Sequence, residues 1–231
     1  MGLLERKLRH GLAELRLSLD DAQVTRLLDY LDLIQKWTKV YNLTAVREPE
    51  DMLTHHLLDS LAVILPLRLK LAGLRGDGLT AARGDEATTL ADVRLLDVGS
   101  GAGLPGVVIA ICCPDISVDC VDAVAKKVAF IRQVAATLKL SNLRGLHARV
   151  ENLAERYAVV SSRAFASLSD FSRWSEGALA PGGVWMAMKG KDPEDEISAL
   201  SGQVQVFHVE HLAVPGLGAE RCIVWMRRNV T

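Results

Sequence analysis

The 231-residue chain lacks the spacing patterns that several chemistries need. Its four cysteines, Cys112, Cys113, Cys120 and Cys222, form no C-x-x-C pair. That argues against both a zinc knuckle and a disulfide framework. Buried free thiols in a reducing compartment are the simpler reading. His147, His208 and His211 show no ligand spacing, so no metal site is expected. No apolar run reaches the ~20 residues that span a bilayer, so no membrane partner is expected. Met1 to Asp20 alternates charge with leucine and has no secretory apolar core, and a cytoplasmic location is expected. Net charge is also scarce: Lys and Arg total 27 against 28 Asp and Glu, a formal balance of −1. Any nucleic-acid contact must therefore come from a local basic face.

What is present centres on one stretch, Leu95-Leu96-Asp97-Val98-Gly99-Ser100-Gly101-Ala102-Gly103-Leu104-Pro105-Gly106. Arg94 to Val98 reads as a short buried strand, and Val107 to Ile111 as a packed helix. Glycines between them permit a sharp turn and the close approach of a ligand. Pro105 suits a first helical turn. Two ligand classes fit this corner. Gly101, Gly103 and Gly106 match the dinucleotide pattern G-x-G-x-x-G, a weak signal alone. Asp97, Gly99, Gly101 and Gly103 match D-x-G-x-G-x-G, which resembles the first motif of S-adenosylmethionine (AdoMet) methyltransferases.

Upstream, leucines recur at helical spacing to about Leu17. Ser18 to Asp21 then caps a second helix with the stripe Val24, Leu27, Leu28, Leu31, Ile34, Trp37, Tyr41. Asn42 is a plausible left-handed stop. A third helix opens at Pro49 and closes near Pro66. These expectations divide the chain into a helical extension (1–72), an exposed linker (73–93) and a core (94–231). The core alternates strands and helices: strands at 116–121, 143–148, 157–161 and 183–188 follow the first. Alternation predicts a mostly parallel sheet with helices on both faces. Two last strands, 204–209 and 222–226, have no helix between them and predict an antiparallel hairpin at one edge.

Asp122 closes the second strand about twenty residues after the glycines, where an acid can accept ribose hydroxyls. A plain helix cap is the competing reading. Leu179-Ala180-Pro181-Gly182-Gly183 then leads into an apolar strand. That turn resembles the start of the fifth strand in AdoMet methyltransferases and favours AdoMet over a dinucleotide. No Tyr-x-x-x-Lys set supports an oxidoreductase.

Six further groups occur in a family-specific order: Lys36-Trp37, Tyr41-Asn42-Leu43-Thr44, His56-Leu57-Leu58-Asp59-Ser60, Gly99 to Gly106, Ser162-Arg163-Ala164-Phe165-Ala166 and Lys189-Gly190. From about Ser18 to Trp225 the chain resembles the ribosomal RNA small subunit methyltransferase G family, also called glucose-inhibited division protein B. The resemblance implies a class I AdoMet-dependent, Rossmann-like fold: an α/β, seven-stranded, mostly parallel sheet with an N-terminal helical extension. It implies methylation at nitrogen 7 of a guanine, position 527 in the 530 loop of 16S ribosomal RNA, free or in small-subunit particles. The stretch from Gly73 to Asp92 is longer than the family implies.

Carried over residue by residue, the resemblance places the cofactor at Asp97, Gly99, Gly101, Gly103, Leu104, Asp122, Val150, Glu151 and Arg163. It makes Arg163, Phe165 and Lys189 positioning groups, with no certain catalytic residue. It makes Lys36, Asn42, Thr44, His56 and Lys189 RNA-side candidates, Lys189 as a phosphate contact. Plainer readings stand beside these. Glu151 can cap a helix, Arg163 can be a surface ion pair, and His56 can be a buried structural residue. Trp37 and Tyr41 continue an apolar stripe, with base stacking as the alternative. Lys126, Lys127, Arg132 and Lys139 fit one solvated helix face. The chain lacks the N/D-P-P-Y/F motif for exocyclic amines and the paired cysteines for carbon-5 of pyrimidines. A monomer is expected. Two other functions stay open: an RNA-binding ribosome-assembly factor retaining an AdoMet pocket, and a methyltransferase of another substrate.

Overall fold

The computed structural model describes residues 2–76, 93–191 and 193–229. Helix α1 (Leu3–Glu14) leads to α2 (Asp21–Tyr41), which opens on a capping box between Asp20 and Gln23. Asn42 ends α2 in the left-handed conformation, as its sequence position predicts. Helix α3 (Pro49–Met52) runs through a π-helical turn, Leu53–Leu58, into α4 (Asp59–Leu61). Helix α5 (Ile64–Gly76) follows. Pro66 therefore lies in the first turn of α5 instead of ending the previous helix. A proline is tolerated there because first-turn N–H groups have no intrahelical acceptor. The expected linker overlaps α5 at Gly73, and its stretch 77–92 lies outside the described residues.

The sheet contains β1 (Arg94–Val98), β2 (Ser117–Asp122), β3 (Leu143–His147), β4 (Tyr157–Arg163), β5 (Leu179–Lys189), β6 (Val204–Leu212) and β7 (Arg221–Arg228). Their order is β3-β2-β1-β4-β5-β7-β6. The first five strands pair in parallel, and β7 runs antiparallel to both β5 and β6. The edge hairpin forms as the pattern predicts. Helices α6 (Gly106–Cys112), α7 (Ala125–Thr137), α8 (Leu168–Ser175) and α9 (Glu194–Ser198), with short 3-10 turns at Val150–Asn152 and Glu176–Ala178, complete the described elements. Leu179 already pairs with Tyr157 of β4, so the Pro181-Gly182-Gly183 turn lies in a bulge inside β5 and is not a lead-in. Pro105 is the residue before α6, not inside it.

Alternate strand residues supply two apolar clusters, one on each face. Leu95, Val118, Val159 and Met186 belong to one cluster, and Leu96, Val121, Val160 and Trp185 to the other. The N-terminal helices join the first cluster through Leu27, Tyr30, Ile34, Leu57 and Leu61, so helices and sheet share one core. Polar ties reinforce this packing. Gln23 donates to the Ile111 and Cys112 carbonyls, and Arg68 to the Cys112 carbonyl, satisfying the end of α6. Tyr30 Oη donates to the Ala102 carbonyl at 2.6 Å, fixing α2 against the glycine turn.

All four cysteines are buried thiols. Among the described residues no helix is long and apolar enough to cross a membrane. No cluster of three or more His, Cys, Asp or Glu among them is placed to hold a metal ion.

Candidate functional site

The strand order reverses between β1 and β4, so the loops after these strands diverge and leave a crevice at their carboxyl ends. Two cavities fill that crevice and share Gly99 and Ala164. One, of about 470 Å³, is lined by Asp122 at the end of β2, by Val150 and Glu151 after β3, and by Phe165 and Trp174. The other, of about 390 Å³, is lined by Gly99 to Ala102 and Leu104, by Thr44, His56 and Asp59 from the helical region, and by Arg163, Lys189 and Arg221.

The glycine turn explains the shared wall. Gly99 has φ +64°, and a Cβ there would lie 2.1 Å from the Phe165 ring. Gly101 has φ +58° and faces open space: the nearest atom to a Cβ would be the Gly99 carbonyl oxygen at 4.0 Å. Its N–H donates to Asp122 Oδ2 at 3.1 Å, and Val124 N–H donates to Oδ1 at 2.8 Å. Asp122 thus clamps the turn and opens the helix α7 region while facing the larger cavity. A carboxylate has about four acceptor sites, so capacity for ribose hydroxyls remains. Both sequence readings of Asp122, helix cap and cavity acid, describe the same carboxylate. An acid at a ribose position, an apolar slot at Val150, Phe165 and Trp174, and an open cradle over Gly101 fit an adenosine-bearing cofactor.

Asp97 stands elsewhere. It is fully buried and is not among the residues lining either cavity. Its carboxylate accepts from Gly106 N–H and Ser161 Oγ, each at 3.0 Å. It therefore caps α6 from inside the sheet. Gly103 also turns inward, towards Val107 and Tyr30. Sequence reasoning could not separate the two roles, because one motif spacing serves both cradle and cap.

Burial raises the Asp97 carboxyl to about 7, against the Gly106 and Ser161 donors that lower it. His56 is the converse: burial, then the Arg163 charge, hold it down at about 4. It is a neutral imidazole at physiological pH. These directions set a pH test. A raised acid binds its proton more tightly when folded, so Asp97 stability is present near pH 4 and lost as pH rises through 7. A depressed histidine does the reverse, adding stability as pH rises from 4 to 6.5. The two oppose each other over pH 4–6.5. Asp97→Asn is expected to match wild type near pH 4 and exceed it at pH 8 by on the order of 2–4 kcal/mol. Denaturant melts across pH check this, and parallel curves for the two proteins would refute it.

Among the RNA-side candidates, Thr44 and His56 meet: Thr44 Oγ1 and His56 Nε2 share a hydrogen bond of 2.9 Å. His56 lies in the π-helical turn, a feature frequent at functional sites, and its Nδ1 is buried with no partner among the described residues. Lys36 and Asn42 line neither cavity. Lys36 pairs with Asp32, and Asn42 Oδ1 accepts from Arg47. Trp37 packs on Tyr41 and Phe130 with ring centres 4.9 and 5.2 Å apart and is partly buried against the core, whereas Tyr41, read with it as core, is 45% exposed. Lys189 is engaged inside the protein. Its Nζ donates to the Ala166 carbonyl and to both Glu196 oxygens at 2.8–3.0 Å. Glu196 in turn accepts from Leu168 N–H, so the lysine braces the loop between β4 and α8. Its ammonium already has three oxygen partners, while the side chain still lines the smaller cavity.

Arg163 reaches the helical region, donating from Nη1 to Asp59 Oδ2 at 2.8 Å and to the His55 carbonyl at 2.9 Å. The surface-pair reading fails, since the Asp59 side chain is 3% exposed. Ala164, next in sequence, has φ +50°, a conformation that costs a β-carbon-bearing residue energy. Asp59 and Arg221 were not among the site residues expected from sequence. Asp59 sat inside a quoted motif, but no spacing signal links it to Arg221, 162 residues away.

With this geometry in hand, the comparisons decide the family. Residues 23–70 and 82–225 match the family described as rRNA small subunit methyltransferase G. The chain belongs to that family. A ribosomal RNA small subunit methyltransferase G of Albidiferax ferrireducens is 71% identical over 226 residues, 98% of each chain. One from Acidovorax sp. strain JS42 is 62% identical over 223 residues, 96% of this chain and 95% of its own. The family makes the chain an AdoMet-dependent methyltransferase. A likeness to the solved glycopeptide N-methyltransferase MtfA, complexed with sinefungin, supports the fold alone. Its TM-score is 0.52 at 11% identity, covering 60% of this chain and 81% of that one. The match skips 71–81, which overlaps the stretch that the sequence sets apart as longer than the family implies.

Proposed function

We propose that the chain transfers the AdoMet methyl group to nitrogen 7 of a guanine in the 530 loop of 16S ribosomal RNA, position 527. The observation that carries this reading is the pair of cavities meeting at Gly99 and Ala164. A transferase needs donor and acceptor on either side of one short path, and this wall supplies it. In this reading residues 1–72 extend a methyltransferase core of 94–231, and the chain acts as a cytoplasmic monomer.

AdoMet supplies an electrophilic methyl group on a sulfonium. Asp122 would hold the ribose, and Val150 and Glu151 would flank the adenine. Gly99, Gly101 and Leu104 would border the methionine portion. Phe165 packs against Gly99 and would line the adenosine side. Thr44 and His56 face the guanine side. Nitrogen 7 carries a lone pair and no proton, so no general base is required. Proximity and alignment carry the acceleration. A neutral His56 suits a base that becomes cationic on methylation, where a second positive charge would oppose the product.

Borohydride and aniline cleave RNA at 7-methylguanosine. Ribosomal RNA from cells lacking the protein is expected to lose one cleavage in the 530 loop, and plasmid-borne protein to restore it. Persistence of that cleavage without the protein would overturn the assignment.

A further inference from the structure

We infer that Asp59 is a positioning residue, one buried carboxylate that holds Arg163 and Arg221 spread across the guanine-side cavity with their remaining donors facing RNA. The inference rests on the function proposed above and goes beyond it in naming how two distant arginines are set. Asp59 Oδ2 accepts from Arg163 Nη1 at 2.8 Å and Oδ1 from Arg221 Nε at 2.9 Å. The carboxylate comes from α4, Arg163 from the end of β4 and Arg221 from the start of β7. All three line the same cavity.

The charge count gives the arrangement its direction. Two guanidiniums share one carboxylate, so the cluster carries one surplus positive charge. The cavity that displays it is the one proposed to receive a phosphate-bearing nucleotide, whose phosphate and not whose methylated base would meet the surplus charge. The arginine side chains are 21% and 25% exposed, against 3% for the acid, so the cations and not the anion face the opening. Each arginine also keeps donors. Arg163 spends Nη1 on Asp59 and the His55 carbonyl, leaving Nε and Nη2. Arg221 spends Nε on Asp59 and Nη1 on the Glu220 carbonyl, leaving Nη2. Planar forks held at one edge point the other edge in a fixed direction. Without Asp59 the two cations would face each other uncompensated and separate. A wall of this kind joins the helical region, through Asp59 of α4, to the end of β4 and the start of β7.

The test uses full-length protein and a hairpin RNA carrying the 530-loop sequence. Arginine Nε–H resonances are assigned from Arg163→Lys and Arg221→Lys. RNA is expected to shift both in wild type. Asp59→Asn, studied at a temperature where melts show it fully folded, is expected to lose both shifts. Its single-turnover methylation should fall 30-fold or more. Asp59→Asn combined with Arg221→Met should be no more than threefold worse than the poorer single variant, because both act through one unit. RNA shifts that persist in Asp59→Asn, or are absent in wild type, would overturn the inference, as would losses that multiply. Loss of 7-methylguanosine activity in wild type would overturn the proposed function instead, leaving the resonance shifts to decide Asp59.

Discussion

Gly99→Ala is expected to weaken AdoMet binding at least 100-fold while the sheet remains folded. Two effects combine. The residue holds φ +64°, where a Cβ costs about 1–2 kcal/mol. That Cβ would also lie 2.1 Å from Phe165 Cδ2 and 2.8 Å from Cε2, far inside contact distance. The Phe165 ring cannot yield cheaply. It packs edge-on against Phe171 and Trp174, with ring centres 6.5 and 5.8 Å away, and itself lines the larger cavity. Moving it invades the space proposed for adenosine. Gly73→Ala serves as the control: a Cβ there meets nothing within 4 Å, and alanine is the better helix former. Calorimetry that finds Gly99→Ala within threefold of wild type would refute the account of the shared wall.

Asp122→Ala should weaken AdoMet binding by roughly 1–3 kcal/mol, a factor of about 5–150. The carboxylate holds Gly101 N–H and Val124 N–H and faces the cavity, so its removal loosens the turn as well as removing the ribose acceptor. Asp122→Asn weakens both roles in part: its single amide oxygen can accept from only one of Gly101 N–H and Val124 N–H, and it offers the ribose a weaker, uncharged acceptor. An intermediate affinity is expected. Unchanged affinity in Asp122→Ala would leave the acid as a helix cap alone.

Much of this molecule is local in origin and was legible along the chain. Short apolar runs from Arg94 to Met188 specify buried strands, and turns rich in glycine mark where they end. The order of strand, glycine turn, helix and Asp122 places the cofactor corner, since a parallel sheet puts successive strand ends on one side. The capping box at Asp20 and the left-handed Asn42 are short-range events, and neighbouring residues decide them. The resemblance carried by Arg163 and its neighbours pointed to the family that the match over 23–70 and 82–225 establishes.

Orientation and pairing belonged to the tertiary structure. Asp97 and Gly101 share one motif, yet one caps α6 from inside the core and the other opens on a cavity, because Asp97 still lies within buried β1 whereas Gly101 lies in the turn beyond its end. Lys189 read as a free cation until α9 brought Glu196 onto it. Asp59 acquires its meaning only when residues 104 and 162 positions later converge on it. The sequence by itself determined where strands, turns and the cofactor corner form, since these follow from periodicity and backbone preference. Which charges face the cavity and which are spent inside was decided only by packing, because a side chain's partner across the fold leaves no trace in its local spacing.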